Sequence, residues 1–263
     1  ETHNTAIGTD ALGGSSLVDQ TVIIGSQAGS GAMEATADGT VAVGYAALQT
    51  VTSGTQNTAV GYAGMKETTQ GGYNTTLGYN TMYRDAGLAN TNNTFIGANA
   101  GSGDWTTTAC TSNTGVGAGV MQGAMEGATN NTAIGLDGLN ALTTGDNNTG
   151  LGRTALAGVT TGVQNTAVGS FAGDSIQGGS NNTCIGRSAD TSGVSAANET
   201  VIGANAAGTG TNEIALGDTN VSAIKAQVTS ITAYSSDERT KKDVKDYDLK
   251  GVDFIKDLQL KTY

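Results

Sequence analysis

The chain has 263 residues, among them 41 glycines, no proline, one histidine and one tryptophan, with 13% charged residues and a formal net charge of -11. Ordinary globular domains carry roughly 7% Gly and 5% Pro, disordered chains carry dense charge and proline, and collagen needs abundant proline beside a glycine at every third position. None of these fits, and the 41 threonines and 21 asparagines point instead to β structure with many tight turns.

The charge is unevenly spread. Residues 1–234 hold 16 Asp or Glu against 5 Lys or Arg, whereas residues 235–263 hold 7 of each. An acidic surface repels phosphate backbones, so no nucleic-acid partner is expected. No run of 18 apolar residues occurs, which predicts no membrane insertion. The start carries neither Met nor a signal pattern, which predicts that the chain begins mid-protein. Cys110 and Cys184 are too few for a disulfide framework and are expected to be free, buried or half-buried thiols.

From the N-terminus onward a five-residue unit recurs, most often Asn-Thr-small-aliphatic-Gly. Its glycines are Gly8, Gly25, Gly44, Gly61, Gly78, Gly97, Gly117, Gly135, Gly152, Gly169, Gly186, Gly203 and Gly217, at steps of 17, 19, 17, 17, 19, 20, 18, 17, 17, 17, 17 and 14. The second position is β-branched in every copy, and the fourth is always Ile, Val or Leu. Residues two apart on a strand share a face, so each unit reads as a short strand with Thr and an aliphatic side chain directed into the core. Asn opens nine copies and suits a corner, because its amide bonds turn backbone.

After each glycine a second short segment is expected to be extended, as in Gly44-Tyr45-Ala46-Ala47-Leu48, and a polar turn such as Thr143-Thr144-Gly145-Asp146-Asn147 closes the unit. Strand, corner, short strand and turn make one coil of a β-solenoid; 17 residues are too few for two helices. The fold class predicted is all-β, a rod of about 13 coils over residues 1–220, roughly 60 Å long at ~4.8 Å per coil. Each coil has little to bury, which predicts an intertwined homotrimer with the corner glycines where backbones crowd, a lone monomeric rod being the alternative. Tyr45, Tyr62 and Tyr79 follow the corner glycine in successive coils and should stack as a ladder.

The coils from Gly78 to Gly97 and from Gly97 to Gly117 are expanded and hold Tyr79, Tyr83, Arg84 and Trp105. Exposed aromatics beside polar groups suit sugar faces on a rigid scaffold; the alternative is that they pack over the coil. A carbohydrate-cleaving site would need two facing carboxylates, for which Asp85, Asp104, Asp137 and Asp174 are available. His3 is the lone histidine, which leaves no Ser-His-Asp triad, and zinc-ligand spacing is absent, so neither metal nor cofactor is expected. Asp146-Asn147-Asn148 offers oxygens for calcium, with an ordinary turn as the other reading.

Beyond Gly217 only Gly251 remains. Residues 221–234 alternate loosely and read as a β neck, and Val252, Ile255 and Leu258 have helical spacing within 235–263. The run Ser236-Asp237-Glu238-Arg239-Thr240-Lys241-Lys242-Asp243-Val244, with Leu258 to Tyr263 after it, resembles the opening of the S74 peptidase module, the C-terminal intramolecular chaperone of phage tail fibres and tailspikes. The resemblance implies Ser236 as nucleophile, Lys241 as base and Ser236–Asp237 as the bond cut, in a module that assembles three chains and then removes itself. Thr240 departs from the apolar residue usual there, and about 28 residues after Ser236 are too short for a complete module, so a fragment without its own cleavage activity is expected.

The repeats themselves resemble the arrays that precede this module in phage fibres and, more distantly, the β-roll heads of trimeric autotransporter adhesins. That resemblance implies a structural and adhesive fibre of a virion: itself as partner in a homotrimer, and a cell-surface carbohydrate or protein receptor. A bacterial extracellular filament or trimeric adhesin that keeps its tail, joining trimers end to end, is the alternative; a depolymerising tailspike is the third.

Overall fold

The structure is a computed structural model, and it describes residues 3–14, 18–84 and 87–223. One compact unit spans Glu1–Val221, and a second spans Ser222–Tyr263. The expected helical segment lies outside the described residues, as does nearly all of the expected neck.

Thirteen three-residue strands make up one parallel sheet in strict sequence order: β1 Thr5–Ile7, β2 Val22–Ile24, β3 Val41–Val43, β4 Thr58–Val60, β5 Thr75–Leu77, β6 Thr94–Ile96, β7 Thr114–Val116, β8 Thr132–Ile134, β9 Thr149–Leu151, β10 Thr166–Val168, β11 Thr183–Ile185, β12 Thr200–Ile202 and β13 Ile214–Leu216. Every strand pairs in register with the equivalent residues of the next, Thr149 opposite Thr166 and Leu151 opposite Val168 for example. This is the all-β solenoid that the repeat predicts.

The faces are reversed from the expectation. The middle residue of the strand is the buried one: Ala59, Phe95, Ala133, Ala167, Cys184 and Val201 are all sealed from solvent. The flanking Thr and aliphatic residues point outward, and Leu77, Ile134 and Ile202 are 40–48% exposed. The coil interior is narrow and is filled from the opposite wall. Small residues three after the corner glycine (Ala47, Ala155, Ala172), Leu or Met four after it (Leu48, Met65, Leu156) and a further aliphatic residue (Val51, Leu142, Ile176) leave room for no more than a small side chain at most strand centres.

The second segment of the coil is not a strand. It is a chain of turns in which alternate residues take left-handed backbone angles, as at Ala63 and Met65 (φ 52° and 50°) or Thr154 and Leu156 (φ 53° and 55°). An L-residue pays roughly 1–2 kcal/mol for this conformation. The alternation aims successive amides at opposite neighbours: Thr154 N donates to Leu136 O of the coil before (2.8 Å) and Leu156 N to Ala172 O of the coil after (2.9 Å). Coil-to-coil hydrogen bonds offset the strain, and a proline would remove one of them.

The corner glycines do crowd, but against the next coil of the same chain. Gly61 has φ +137°, and a Cβ there would sit 2.1 Å from the carbonyl oxygen of Gly78. The same contact recurs along most of the column, so the stacking of successive coils within one chain already requires the glycines.

The asparagines of the repeat form a buried ladder from Asn57 through Asn74, Asn93, Asn113, Asn131, Asn148 and Asn165 to Asn182. Asn148 is typical. Its Nδ2 donates to Asn131 Oδ1 (3.1 Å) and to Gly162 O (2.8 Å), while its Oδ1 accepts from the backbone N and the Nδ2 of Asn165 (both 3.0 Å). The left-handed residue is the one before each asparagine, such as Asn147 (φ 58°). At Glu199 the ladder ends: its backbone N donates to Asn182 Oδ1 (2.9 Å), and its carboxylate turns to the backbone N and hydroxyl of Ser192.

Candidate functional site

The expanded coils owe their size to their core. Phe95 is the one aromatic ring at a strand centre, where most other coils place Ala, Gly or Thr, and its ring packs on Trp105 (centroids 5.8 Å, tilted 59°). Gly101 and Gly115 face the ring; a Cβ on Gly115 would lie 2.7 Å from it. Two bulky side chains in one cross-section need a longer perimeter, and the steps of 19 and 20 residues supply it. Trp105 is therefore fully buried, and its expected exposure is corrected: it offers no open face for a sugar to stack upon.

The loop that carries Trp105 is held by Glu126, a residue with no signal in the repeat. Its carboxylate accepts from Thr106 N and Oγ1 (both 2.8 Å), Thr107 N and Oγ1 (2.7 and 2.5 Å) and Thr108 N (3.0 Å). Burial alone would raise its pKa. The Thr107 hydroxyl and the other four donors prevail and hold it at about 2.

Arg84 and Asp104 lie beside this loop and form an exposed ion pair (Nη1 to Oδ1, 2.9 Å). The hydrogen bond to Asp104 and its charge, with Glu67 adding to the field, raise the guanidinium pKa further. A cavity of about 240 Å³ is lined by Glu67, Arg84, Asp104, Trp105 and Thr106; a neighbouring one of about 230 Å³ is lined by Asn80, Tyr83, Arg84, Asn99, Ser102 and Asp104. Both Lys66 and Arg84 sit over the Tyr83 ring, 5.5 and 5.8 Å from its centroid. Arg84 and Asp104 line both hollows, with Trp105 at one and Tyr83 at the other, and both are chemically suited to hydroxyl-rich or charged ligands. Tyr79 belongs to a different feature: it is the end of the stack Tyr45–Tyr62–Tyr79, with centroids 5.1 and 5.3 Å apart and planes within 21° and 17°. The ladder forms as expected, with its rings half-exposed.

Of the four aspartates considered for glycoside chemistry, Asp104 is committed to Arg84, and Asp85 lies outside the described residues. Asp174 is shifted upward, by burial first and by the charge of Asp190 second. The oxygens of the Asp146-Asn147-Asn148 turn are largely spoken for. Asp146 accepts from Thr129 N and Oγ1 (2.6 and 2.9 Å), and Asn148 is locked into the ladder. Among the described residues no group of three or more His, Cys, Asp or Glu could hold a metal ion. No described helix is long and apolar enough to cross a membrane. Cys110 and Cys184 are both buried thiols, and burial pushes their pKa values up to about 11 and about 12. Ser236 and Lys241, with the Ser236–Asp237 bond, lie outside the described residues. No protein-family model matches the chain, and no curated protein matches it.

Proposed function

We propose that the chain is the distal shaft of a homotrimeric phage tail fibre that takes part in host attachment. The observation that supports this most is a continuous thirteen-strand solenoid followed, a short way along the sequence, by the Ser236–Val244 run that resembles a fibre-assembly chaperone. The work of such a shaft is mechanical: coil-to-coil hydrogen bonds run its length, and any receptor-binding loop is presented three times over. In the hollow lined by Glu67 and Asp104 the Asp104 carboxylate is paired with Arg84, which favours holding over cutting. The polar hollow around Arg84 and Asp104 is the place on the shaft that best fits a carbohydrate receptor, with Tyr83 beside it.

Mass spectrometry of the assembled native protein tests the fibre reading. A C-terminus at Ser236 is expected. Peptides that run intact past Lys241 in assembled material would overturn it in favour of an extracellular filament that keeps its tail. For the receptor, Arg84→Ala should weaken binding of host-surface glycan at least tenfold while leaving the melting temperature in place; unchanged binding refutes that assignment.

A further inference from the structure

The outward face of the sheet carries two ladders from β1 to β13, one of Thr, with Val22, Val41 and Ile214 in its place on three strands, and one of Ile, Val or Leu on every strand. No outward strand position bears a charge, although residues 1–234 hold 16 acidic side chains. The aliphatic ladder is nowhere buried: Leu77, Ile134, Val168, Ile185 and Ile202 are 38–48% exposed, and Ile24, Val43, Val60, Ile96, Val116 and Leu151 are partly so. Thirteen strands at ~4.8 Å and three residues at ~3.3 Å make a flat face about 58 Å by 10 Å. That is roughly 600 Å² per copy, or ~1,200 Å² across a pair, within the range of stable interfaces. An uncharged strip of this length with an unbroken aliphatic column along it is the kind of surface that marks an interaction site.

Two properties indicate what covers it. A partner that fills every groove must repeat at the same spacing as the ladder, and a second copy of this chain does so by construction. Because the chain is strongly acidic, copies repel one another on their other sides and can approach closely only where charge is absent. We propose that the outward Thr and aliphatic ladders of β1–β13 are the surface through which copies of this chain associate, coil against coil in register, around the axis of the trimer. The inference rests on the homotrimer reading above and deepens it by naming the face.

The test is native mass spectrometry and sedimentation of the wild type, of Val168→Glu/Ile185→Glu, and of single-cysteine variants Thr166→Cys and Thr161→Cys treated with a short thiol cross-linker. Thr166 is on the outward ladder and Thr161 on an exposed closing turn; the natural cysteines are buried. The wild type should have three times the mass of its own denatured chain at micromolar concentration, that chain being 26.1 kDa when uncleaved. The double variant should fall to a single chain mass with its β circular dichroism intact, since both side chains point away from the core. Thr166→Cys should cross-link into multimers and Thr161→Cys should not. A monomeric wild type refutes association altogether. A trimeric wild type whose double variant stays trimeric refutes only the face. Should the double variant fail to fold, the cysteines decide, and Thr166→Cys without cross-links overturns the proposal.

Discussion

Replacing Asn148 by Ala removes one rung of the buried amide ladder. Four side-chain hydrogen bonds go: two donated by its Nδ2, to Asn131 Oδ1 and Gly162 O, and two accepted from Asn165. At about 1 kcal/mol net for each buried bond the loss is ~4 kcal/mol. Part of it is retained, because Asn131 Oδ1 still accepts the backbone N of residue 148 (2.9 Å) and Asn165 Nδ2 still donates to Gly179 O (2.8 Å). The expected cost is therefore about 3 kcal/mol. A solenoid unfolds through its nearest neighbours, so the deficit should be local. Native-state hydrogen exchange is the suitable assay. Amides of the strands on either side, Thr149 and Thr166 among them, should exchange about 150-fold faster, whereas the exposed Gln177→Ala should leave them unchanged. Asn148→Asp keeps the shape but loses both donations and sets carboxylate oxygens against two acceptors. Its introduced acid should titrate upward, so that its deficit shrinks as pH falls. If Asn148→Ala accelerates exchange no more than about threefold, the ladder contributes little and the reasoning fails.

Gly61→Ala places a methyl group 2.1 Å from Gly78 O at φ +137° and should cost at least ~3 kcal/mol, while Gly193→Ala, which meets nothing within 4 Å, should be neutral within ~0.5 kcal/mol; urea denaturation compares them. Thr154 is β-branched at φ 53° and bonds only its neighbour's carbonyl through its hydroxyl. Thr154→Asn should stabilise by about 1 kcal/mol, read as a raised melting temperature, and a lowered one would show that the left-handed turn carries no strain. Glu126 has its folded pKa depressed from 4.5 to about 2, so its contribution is complete above pH 4.5 and lost as pH falls toward 2. The wild-type melting temperature should drop through that window more steeply than that of Glu126→Gln; equal slopes would deny the carboxylate its role in holding the Thr106–Thr108 loop.

The period, the corner column and the tyrosine stack were all legible, because each depends on which residue recurs at which step. Which face of the strand turns inward was not. Alternation distinguishes two faces without saying which is inside, and Thr with Ile looks more like a core than Ala does. The deciding quantity is the width of the coil, set by Leu48, Met65 and Leu156 entering from the far wall, and no single strand reveals it. The left-handed turn was hidden for a related reason. Ala63, Thr154 and Phe171 have no intrinsic taste for positive φ, and only the hydrogen bonds offered by neighbouring coils hold them there. Around Trp105 the clue was present: Phe95, the one aromatic residue at a position where most copies have Ala or Gly, marks a coil that must widen inward. Glu126 gave no clue, since the threonines it gathers lie about 20 residues away in a segment outside the repeat unit.

Because strand, corner glycine and buried asparagine each meet their own kind in the coil above and the coil below, the gene can gain or lose length in whole units. Removing residues 136–152, from one corner glycine to the next, would bring Gly135 against Gly169 and Asn131 against Asn165 with every column still matched. The rod would shorten by one step of ~4.8 Å. Reach is then a counted quantity, open to adjustment by unequal recombination between copies, while the wide coils around Phe95 and Trp105 stay as a landmark among the interchangeable 17-residue units.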